Sequence, residues 1–144
     1  MEDREELLAA ANAVRMAVSV LSRRVRDEWV GGVSPSETTV LSRLDRYGPE
    51  TIADLARRTG VTPQAMGATV GALESRGLIS RSPDPHDGRR ALLSPTPEGR
   101  QLIHHARDEV TDRLADALAK DFSPEDVVLI RRVAPMIERL AHLI

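Results

Sequence analysis

Four times along this chain a serine or threonine stands directly before a proline, and an amphipathic stretch follows each pair. A hydroxyl at the N-cap accepts a hydrogen bond from the first helical turn. Proline is favoured at the first helical position because the N–H that it lacks would stay unsatisfied there. The four pairs are Ser34-Pro35, Thr62-Pro63, Thr96-Pro97 and Ser123-Pro124. They predict a series of helices with defined starting points.

The spacing of apolar residues indicates the remaining helices. Residues 7–29 repeat apolar side chains at intervals of four and three, which predicts one long amphipathic helix. Thr51 opens a short helix that ends at Gly60. Two more helices are expected over about 97–119 and about 124–143.

One segment follows a different pattern. Residues 78–82 and 89–94 flank a turn rich in Pro, Asp and Gly, which predicts a β-hairpin. Because Pro95 cannot donate a hydrogen bond to a ladder, the second strand is expected to end by Ser94. The predicted fold class is therefore mainly α with a small β-hairpin.

The composition excludes several classes of function. Without cysteine the chain has no disulfide, no thiolate nucleophile and no Cys-based zinc site. The aromatic residues are Trp29, Tyr47 and Phe122, too few for a platform that stacks single-stranded bases. The adjacent His104 and His105 point about 100° apart on a helix and are poorly placed to share a metal. We expect neither a metal nor a cofactor.

The sequence also gives an expectation about location. No apolar run approaches the ~18 residues of a bilayer span. The first six residues carry a net negative charge, whereas a signal peptide begins with positive charge. We expect a soluble, cytoplasmic protein with no membrane partner.

The charge is distributed unevenly along the chain. The net charge is −2, but residues 43–100 carry nine Arg against seven acids, while residues 1–42 and 101–144 each carry an excess of two acids. The positive excess therefore lies in the middle of the chain. A nucleic-acid partner would be bound there rather than at either end.

Residues 51–73 have the pattern of a helix-turn-helix. Two short helices that cross steeply need a small residue at the crossing, a glycine in the turn and apolar residues that hold the second helix. Ala56 and Gly60 fill the first two roles. The apolar residues are Val61, Met66, Val70 and Leu73. An ordinary helical hairpin in an all-α domain would show the same pattern.

The hairpin favours the DNA-binding interpretation. It follows the second helix directly and carries Arg81, Arg89 and Arg90. A helix with a basic wing is the layout that contacts the major groove together with the adjacent backbone or minor groove.

At this point the chain resembles the MarR-type winged-helix transcriptional regulators in its order of elements, its length and its wing. The most specific match is Asp87-Gly88-Arg89 followed, at the family's spacing, by Thr96-Pro97-Glu98-Gly99. Pro95 stands where the family usually has Leu. The resemblance covers nearly the whole chain and implies a sequence-specific DNA-binding regulator of transcription.

The resemblance also implies a domain organisation. The chain would be a single MarR-like domain over residues 1–144. Helices within 1–33 and 97–144 would form a dimer, and residues 34–96 would form the winged helix-turn-helix that binds DNA.

Several arginines are candidate DNA contacts. By resemblance, Arg89 is the wing arginine expected at the minor groove, Asp87 is its positioning partner and Arg90 is a phosphate contact. The other candidates could contact phosphates or be simply solvated: Arg57, Arg58, Arg76 and Arg81.

The second helix of the motif departs from the family. Gly67 and Ala68 stand where Thr-Arg is usual, so base contacts are expected from few residues. Gln64 suits the edge of adenine, and Ala65 and Ala68 are able to touch a thymine methyl. The interior glycines Gly67 and Gly71 each cost a helix about 1 kcal/mol relative to Ala, so we expect close approach of DNA or of a neighbouring helix.

Apolar side chains at both ends exceed what a domain of this size needs to bury. The resemblance implies that they form a homodimer, which would bind a pseudo-palindromic double-stranded operator. The alternative is an ordinary intramolecular core. The candidate interface residues are Leu7, Val14, Val18, Leu21, Ile130, Val133, Ile137, Leu140 and Ile144.

Members of this family commonly sense a small organic molecule in a crevice between the DNA-binding and dimer regions. The resemblance therefore implies a repressor that leaves its operator when an effector binds. Trp29 and Tyr47 are candidate wall residues for that crevice, although single aromatic residues more often serve packing.

Two other classes of function are an enzyme and a binding module without affinity for DNA. An enzyme would need an activated nucleophile, paired carboxylates in an apolar setting or a phosphate-binding glycine loop, and the sequence has none of these. We therefore expect no catalysis. The second alternative is a winged-helix module that binds a protein or a small molecule and has little affinity for DNA.

Overall fold

A computed structural model describes residues 2–27 and 32–144. It contains six helices and one hairpin in these ranges. In chain order the elements are α1 Glu2–Asp27, α2 Pro35–Tyr47, α3 Ile52–Thr59, α4 Pro63–Ser75, β1 Ile79–Pro83, β2 Ala91–Pro95, α5 Pro97–Asp121 and α6 Pro124–Ala141. The mainly α fold with a small hairpin is confirmed. None of the described helices is long and apolar enough to cross a membrane.

The predicted helix starts are confirmed by their caps. Ser34 and Glu37 form a capping box, in which the Glu37 N–H donates to Ser34 Oγ at 3.2 Å and the Ser34 N–H donates to Glu37 Oε2 at 2.8 Å. Ser123 forms a second capping box with Asp126 at the start of α6. The hydroxyls of Thr51, Thr62 and Thr96 each accept a hydrogen bond from a backbone N–H in the first turn of α3, α4 and α5.

The long first helix begins earlier than the apolar spacing predicted. It starts at Glu2, five residues before Leu7, where the apolar repeat begins. Acidic side chains in the first turns of a helix interact favourably with its dipole. Helix formation at this end therefore does not depend on apolar contacts alone.

The chain divides into two compact units, Met1–Glu28 with Glu109–Ile144, and Trp29–Asp108. The second unit has a conventional apolar core, built from all its helices and both strands. Its fully buried side chains include Leu41, Leu44, Leu55, Leu73, Leu93 and Ile103. This unit is the scaffold for the helix-turn-helix and the hairpin.

The hairpin differs from the prediction at both ends of its second strand. β2 starts at Ala91, and it runs through Pro95, which pairs with Ile79, instead of ending at Ser94. The Leu93 N–H donates to the Glu50 carbonyl at 2.8 Å, away from β1. Since every second residue has the same orientation, the nitrogen of Pro95 also faces away from β1, and no ladder hydrogen bond is lost.

The first unit contrasts with the second. Among the described residues of α1, the second half of α5 and α6, not one is buried. Large apolar side chains with substantial exposure include Leu7, Leu8, Met16, Val18, Val20, Leu21, Ile130, Val133, Met136, Leu140, Leu143 and Ile144. Three amphipathic helices are therefore present without a closed core between them.

A charged cluster joins α2 to α5 inside the second unit. Arg107 donates to Asp45 Oδ2 at 2.7 Å, and His104 Nε2 lies 3.2 Å from the same oxygen. Burial by itself would raise the pKa of Asp45, but the hydrogen bonds from Arg107 and His104 outweigh it and hold the pKa below its usual value. The ionised carboxylate is therefore stabilised by folding.

We expect this cluster to contribute stability that depends on pH. Because the folded pKa of Asp45 is lowered, its contribution is present above the usual Asp range and is lost as the pH falls through the folded pKa. Asp45→Asn should lower the free energy of unfolding by about 2 kcal/mol at pH 7. Urea unfolding at pH 7 and at about pH 3 measures this difference, which should be smaller at the lower pH.

The exposed Asp108 of α5 provides the matched control for that series. Asp108→Asn should leave the unfolding free energy almost unchanged at both pH values. If Asp45→Asn lowers the free energy of unfolding equally at both pH values, the contact acts through shape rather than through charge.

Candidate nucleic-acid interface

The helix-turn-helix has the geometry that its sequence predicts. Ala56 at the crossing is 2% exposed, and Gly60 caps α3 in the left-handed region with φ of 69°. The Val61 N–H donates to the Ala56 carbonyl at 3.1 Å and so closes the turn. Met66, Val70 and Leu73 are buried as expected, whereas the Val61 side chain is 44% exposed.

The opposite face of α4 is open to solvent and carries small side chains. Gln64 is the one long polar side chain on it, and Glu74 near the end is the one charged residue of the helix. The exposed residues along this face are Gln64, Ala65, Ala68, Gly71, Ala72 and Ser75. The helix itself therefore presents no cation to a ligand.

The two interior glycines of α4 are not explained by packing within the described chain. A Cβ added at Gly67 or at Gly71 would meet no atom within 4 Å. Of the two expected reasons for these glycines, close packing against a neighbouring helix of this chain is wrong. Close approach of an external partner stays a prediction.

The wing turn presents Arg89 to solvent. The Arg89 N–H donates to Asp87 Oδ1 at 3.0 Å, and the Arg89 guanidinium Nε lies 3.7 Å from the same oxygen. Even so, the Arg89 side chain is 97% exposed. Asp87 thus fixes the backbone of the turn and leaves the guanidinium free to reach outward.

Arg90, the next residue, points back to the helix-turn-helix. Its NH2 group donates to Asp54 Oδ2 at 3.1 Å and lies 3.5 Å from Thr51 Oγ1. The hydrogen bond from Thr51, followed by contacts from Arg57 and Arg90, lowers the pKa of Asp54. The sequence indicated Asp54 only as part of a helix start, because a contact with Arg90, 36 positions along the chain, leaves no local signal.

The other candidate arginines are each paired with a carboxylate. Arg57 NH2 lies 2.6 Å from Asp54 Oδ1, Arg58 Nε lies 3.7 Å from Glu50 Oε1, and Arg76 NH1 lies 3.3 Å from Glu37 Oε2. Arg81 pairs with Glu74 at the end of α4. These acids were not identified from the sequence as partners of the cations. Within the described part of this unit, Arg89 is the most exposed of the candidate cations.

Of the two candidate residues for an effector site, the structure describes only Tyr47. Trp29 lies outside the described residues. Tyr47 is 60% exposed, and the Arg43 guanidinium lies over its ring at 4.8 Å from the centroid. The described residues contain no group of three or more His, Asp or Glu that could hold a metal ion.

The sequence is similar to that of known regulators of transcription. The family model described as "MarR family" matches residues 31–90. An uncharacterised HTH-type transcriptional regulator of Mycobacterium bovis is 34% identical over 110 residues, which are 76% of this chain and 77% of that protein. An HTH-type transcriptional repressor of the same organism is 33% identical over 111 residues, 76% of each chain.

The fold is also similar to solved structures. A transcriptional regulator protein from Pseudomonas aeruginosa superposes with a TM-score of 0.83 at 27% sequence identity, covering 96% of both chains. The similarity therefore extends beyond the helix-turn-helix to nearly the full length.

Proposed function

Because the chain belongs to the MarR family of DNA-binding transcriptional regulators, we propose that it is a homodimeric repressor of transcription. It binds a pseudo-palindromic double-stranded operator and leaves it when a small organic effector binds. One observation supports this DNA-binding surface most strongly. Arg89 is 97% exposed on a wing that directly follows α4, the helix with an open face, in the chain. We place the protein in the cytoplasm with its DNA.

We assign base readout to α4 and the minor-groove contact to the wing. Gln64 offers both a donor and an acceptor to adenine, and Ala65 and Ala68 offer methyl groups to thymine. Arg89 would enter the minor groove beside the site that α4 reads. Four paired arginines would contact phosphates by exchanging a carboxylate for a phosphate oxygen, which makes each contact weaker than that of a free cation. They are Arg57, Arg58, Arg76 and Arg81. Arg90 would contact a phosphate while it keeps its hydrogen bond to Asp54.

The dimer proposal rests on the first unit. Its described helices bury no side chain, although α6 carries apolar residues on successive turns. Val14 of α1 and the α6 residues Val133, Ile137 and Leu140 line one apolar groove. A second copy that covers these faces would supply the missing core, as in obligate homodimers. We propose that the helices of 1–33 and 97–144 form that interface.

The proposal also includes repression and release by an effector. Support for repression comes from the Mycobacterium bovis relative, whose name describes it as a repressor. An effector would act by binding one dimer geometry better than the other, and the loss of DNA affinity cannot exceed that difference. Trp29 and Tyr47 stay candidates for its site.

The test is fluorescence anisotropy of the chain with DNA from upstream of its own gene and with a scrambled duplex, over a salt series. We expect tighter binding to the first duplex and a steep loss of affinity as salt rises. Sedimentation equilibrium should give twice the mass of one chain. Weak and equal binding to both duplexes, and again after selection from a random duplex pool, would favour a winged-helix module that binds a protein or small molecule.

A helix variant tests the assignment of base readout. Gln64→Ala should weaken operator binding by about tenfold and scrambled-duplex binding by much less, because only the operator offers the matching adenine. Anisotropy titrations against both duplexes measure the two losses. An equal loss on both duplexes would assign Gln64 to backbone contact. The exposed Ser75 at the other end of the same helix is the control position, and Ser75→Ala should leave the ratio of the two affinities unchanged.

A further inference from the structure

We propose that Asp54 is a positioning residue for DNA binding, whose carboxylate holds Arg90 and thereby fixes the wing turn that carries Arg89. The inference rests on the proposed DNA-binding function. It assigns a favourable role to an acid that lies among the cations expected to face the DNA.

The Asp54 carboxylate is a junction between three groups. Its Oδ2 accepts hydrogen bonds from Thr51 Oγ1 at 2.9 Å and from Arg90 NH2 at 3.1 Å, and its Oδ1 accepts one from Arg57 NH2 at 2.6 Å. The Asp54 side chain is 25% exposed. Its position in the first turn of α3 also favours a negative charge, because the positive end of the helix dipole lies there.

The wing turn needs such an attachment because it lies beyond the strand pairing. The ladder between β1 and β2 ends at the pair Pro83 and Ala91. Residues 84–90 therefore extend past the last paired residues. Arg90 reaches back from the end of this turn to α3 and so ties it to the helix-turn-helix.

Arg90 also takes part in the internal hydrogen bonds of the turn. Its carbonyl accepts from the Asp84 N–H at 3.0 Å, and its own N–H donates to the Asp87 carbonyl at 3.0 Å. The Asp87 side chain in turn accepts from the Arg89 N–H. A displacement of Arg90 would therefore move the backbone of Arg89, one peptide away.

The sign of a charge-removal experiment separates positioning from simple electrostatics. If Asp54 acts only as a charge near the DNA, its removal takes away repulsion of phosphates, and binding should tighten with a steeper salt dependence. If Asp54 positions the wing, removal should weaken binding to the operator although the protein becomes more positive.

The experiment measures operator affinity for the full chain, Asp54→Asn, Arg89→Ala and the double variant. Asp54→Asn should weaken binding about fivefold, and the loss caused by Arg89→Ala should fall from about 30-fold to about sixfold in its presence, because the two residues act through one contact. Asp54→Glu, which keeps the carboxylate, should restore most of the affinity. Asp108→Asn, which removes an exposed acid elsewhere in the same unit, should change the affinity less than twofold.

A readout without DNA keeps the proposal testable on its own. Backbone NMR order parameters at Gly88 and Arg89 should fall in Asp54→Asn and stay unchanged in Asp108→Asn. If Asp54→Asn does not fold, Arg90→Lys provides the second variant, since it keeps the charge and loses the guanidinium geometry. In the presence of Arg90→Lys, the loss of operator affinity caused by Arg89→Ala should be reduced in the same way.

The outcomes separate the two proposals. Operator binding by the unmodified chain, together with equal or tighter binding by Asp54→Asn and a full Arg89→Ala loss, overturns the positioning role alone. No sequence-dependent binding by the unmodified chain overturns the proposed function and this role with it. Unchanged order parameters in Asp54→Asn overturn the positioning role whatever the DNA result.

Discussion

The Arg89→Ala variant is expected to bind operator DNA about 30-fold more weakly than the unmodified chain, a loss of about 2 kcal/mol. The Arg89 side chain is 97% exposed, so its removal disturbs few contacts within the protein. Its backbone N–H, held by Asp87, is retained in the variant. The slope of log affinity against log salt should become less steep by about one. Anisotropy titrations at four or more salt concentrations give both quantities.

Arg131→Ala is the matched control for this experiment. Arg131 lies exposed on α6 in the other unit, and its removal changes the net charge by the same amount. Its operator affinity should stay within about twofold of the original, because Arg131 is not among the candidate DNA contacts. If both variants lose affinity equally, Arg89 acts only through total charge, and the wing does not enter the minor groove.

The second large effect is expected at Gly99, where α5 begins. A Cβ at this position would lie 2.1 Å from the Leu78 carbonyl oxygen and 3.4 Å from Leu41 Cδ2. The backbone oxygen cannot rotate away, and it already accepts a hydrogen bond from the Thr96 N–H at 3.1 Å. Gly99→Ala should therefore lower the free energy of unfolding by about 3 kcal/mol, which urea titration measures.

The glycines of α4 provide the control. A Cβ at Gly71 meets no atom within 4 Å, so Gly71→Ala should raise the free energy of unfolding by about 0.5–1 kcal/mol through better helix propensity. Opposite signs for the same chemical change would show that the Gly99 effect is steric. A loss at Gly99 of less than about 1 kcal/mol would mean that the segment around Leu78 shifts to accept the methyl group.

Local signals in the sequence predicted the order and the starting points of the helices. A cap such as Ser34 with Glu37, or a turn glycine such as Gly60, is defined by neighbours within four residues. The wing turn was predictable for the same reason, since Asp87 binds the N–H of a residue two positions on. The helix-turn-helix and its hairpin were therefore accessible without coordinates.

Contacts between distant parts of the chain were not predictable. The hydrogen bond from Arg90 to Asp54 spans 36 residues, and that from Arg107 to Asp45 spans 62. Which acid neutralises which arginine depends on how the helices pack, and composition carries no such information. The same limit applies to Val61, whose exposure depends on how the helices pack and not on its neighbours in sequence.

The helices of the first unit, which bury no described side chain, also bear on how this regulator behaves in a cell. If the proposed dimer covers these helices, they form a core only when two chains meet. Folding then depends on concentration, and the melting temperature should rise as more protein is present. At low copy number the free chains would expose apolar helices to chaperones and proteases. Such a regulator would then need a minimum concentration in the cell, which the equilibrium between monomer and dimer sets.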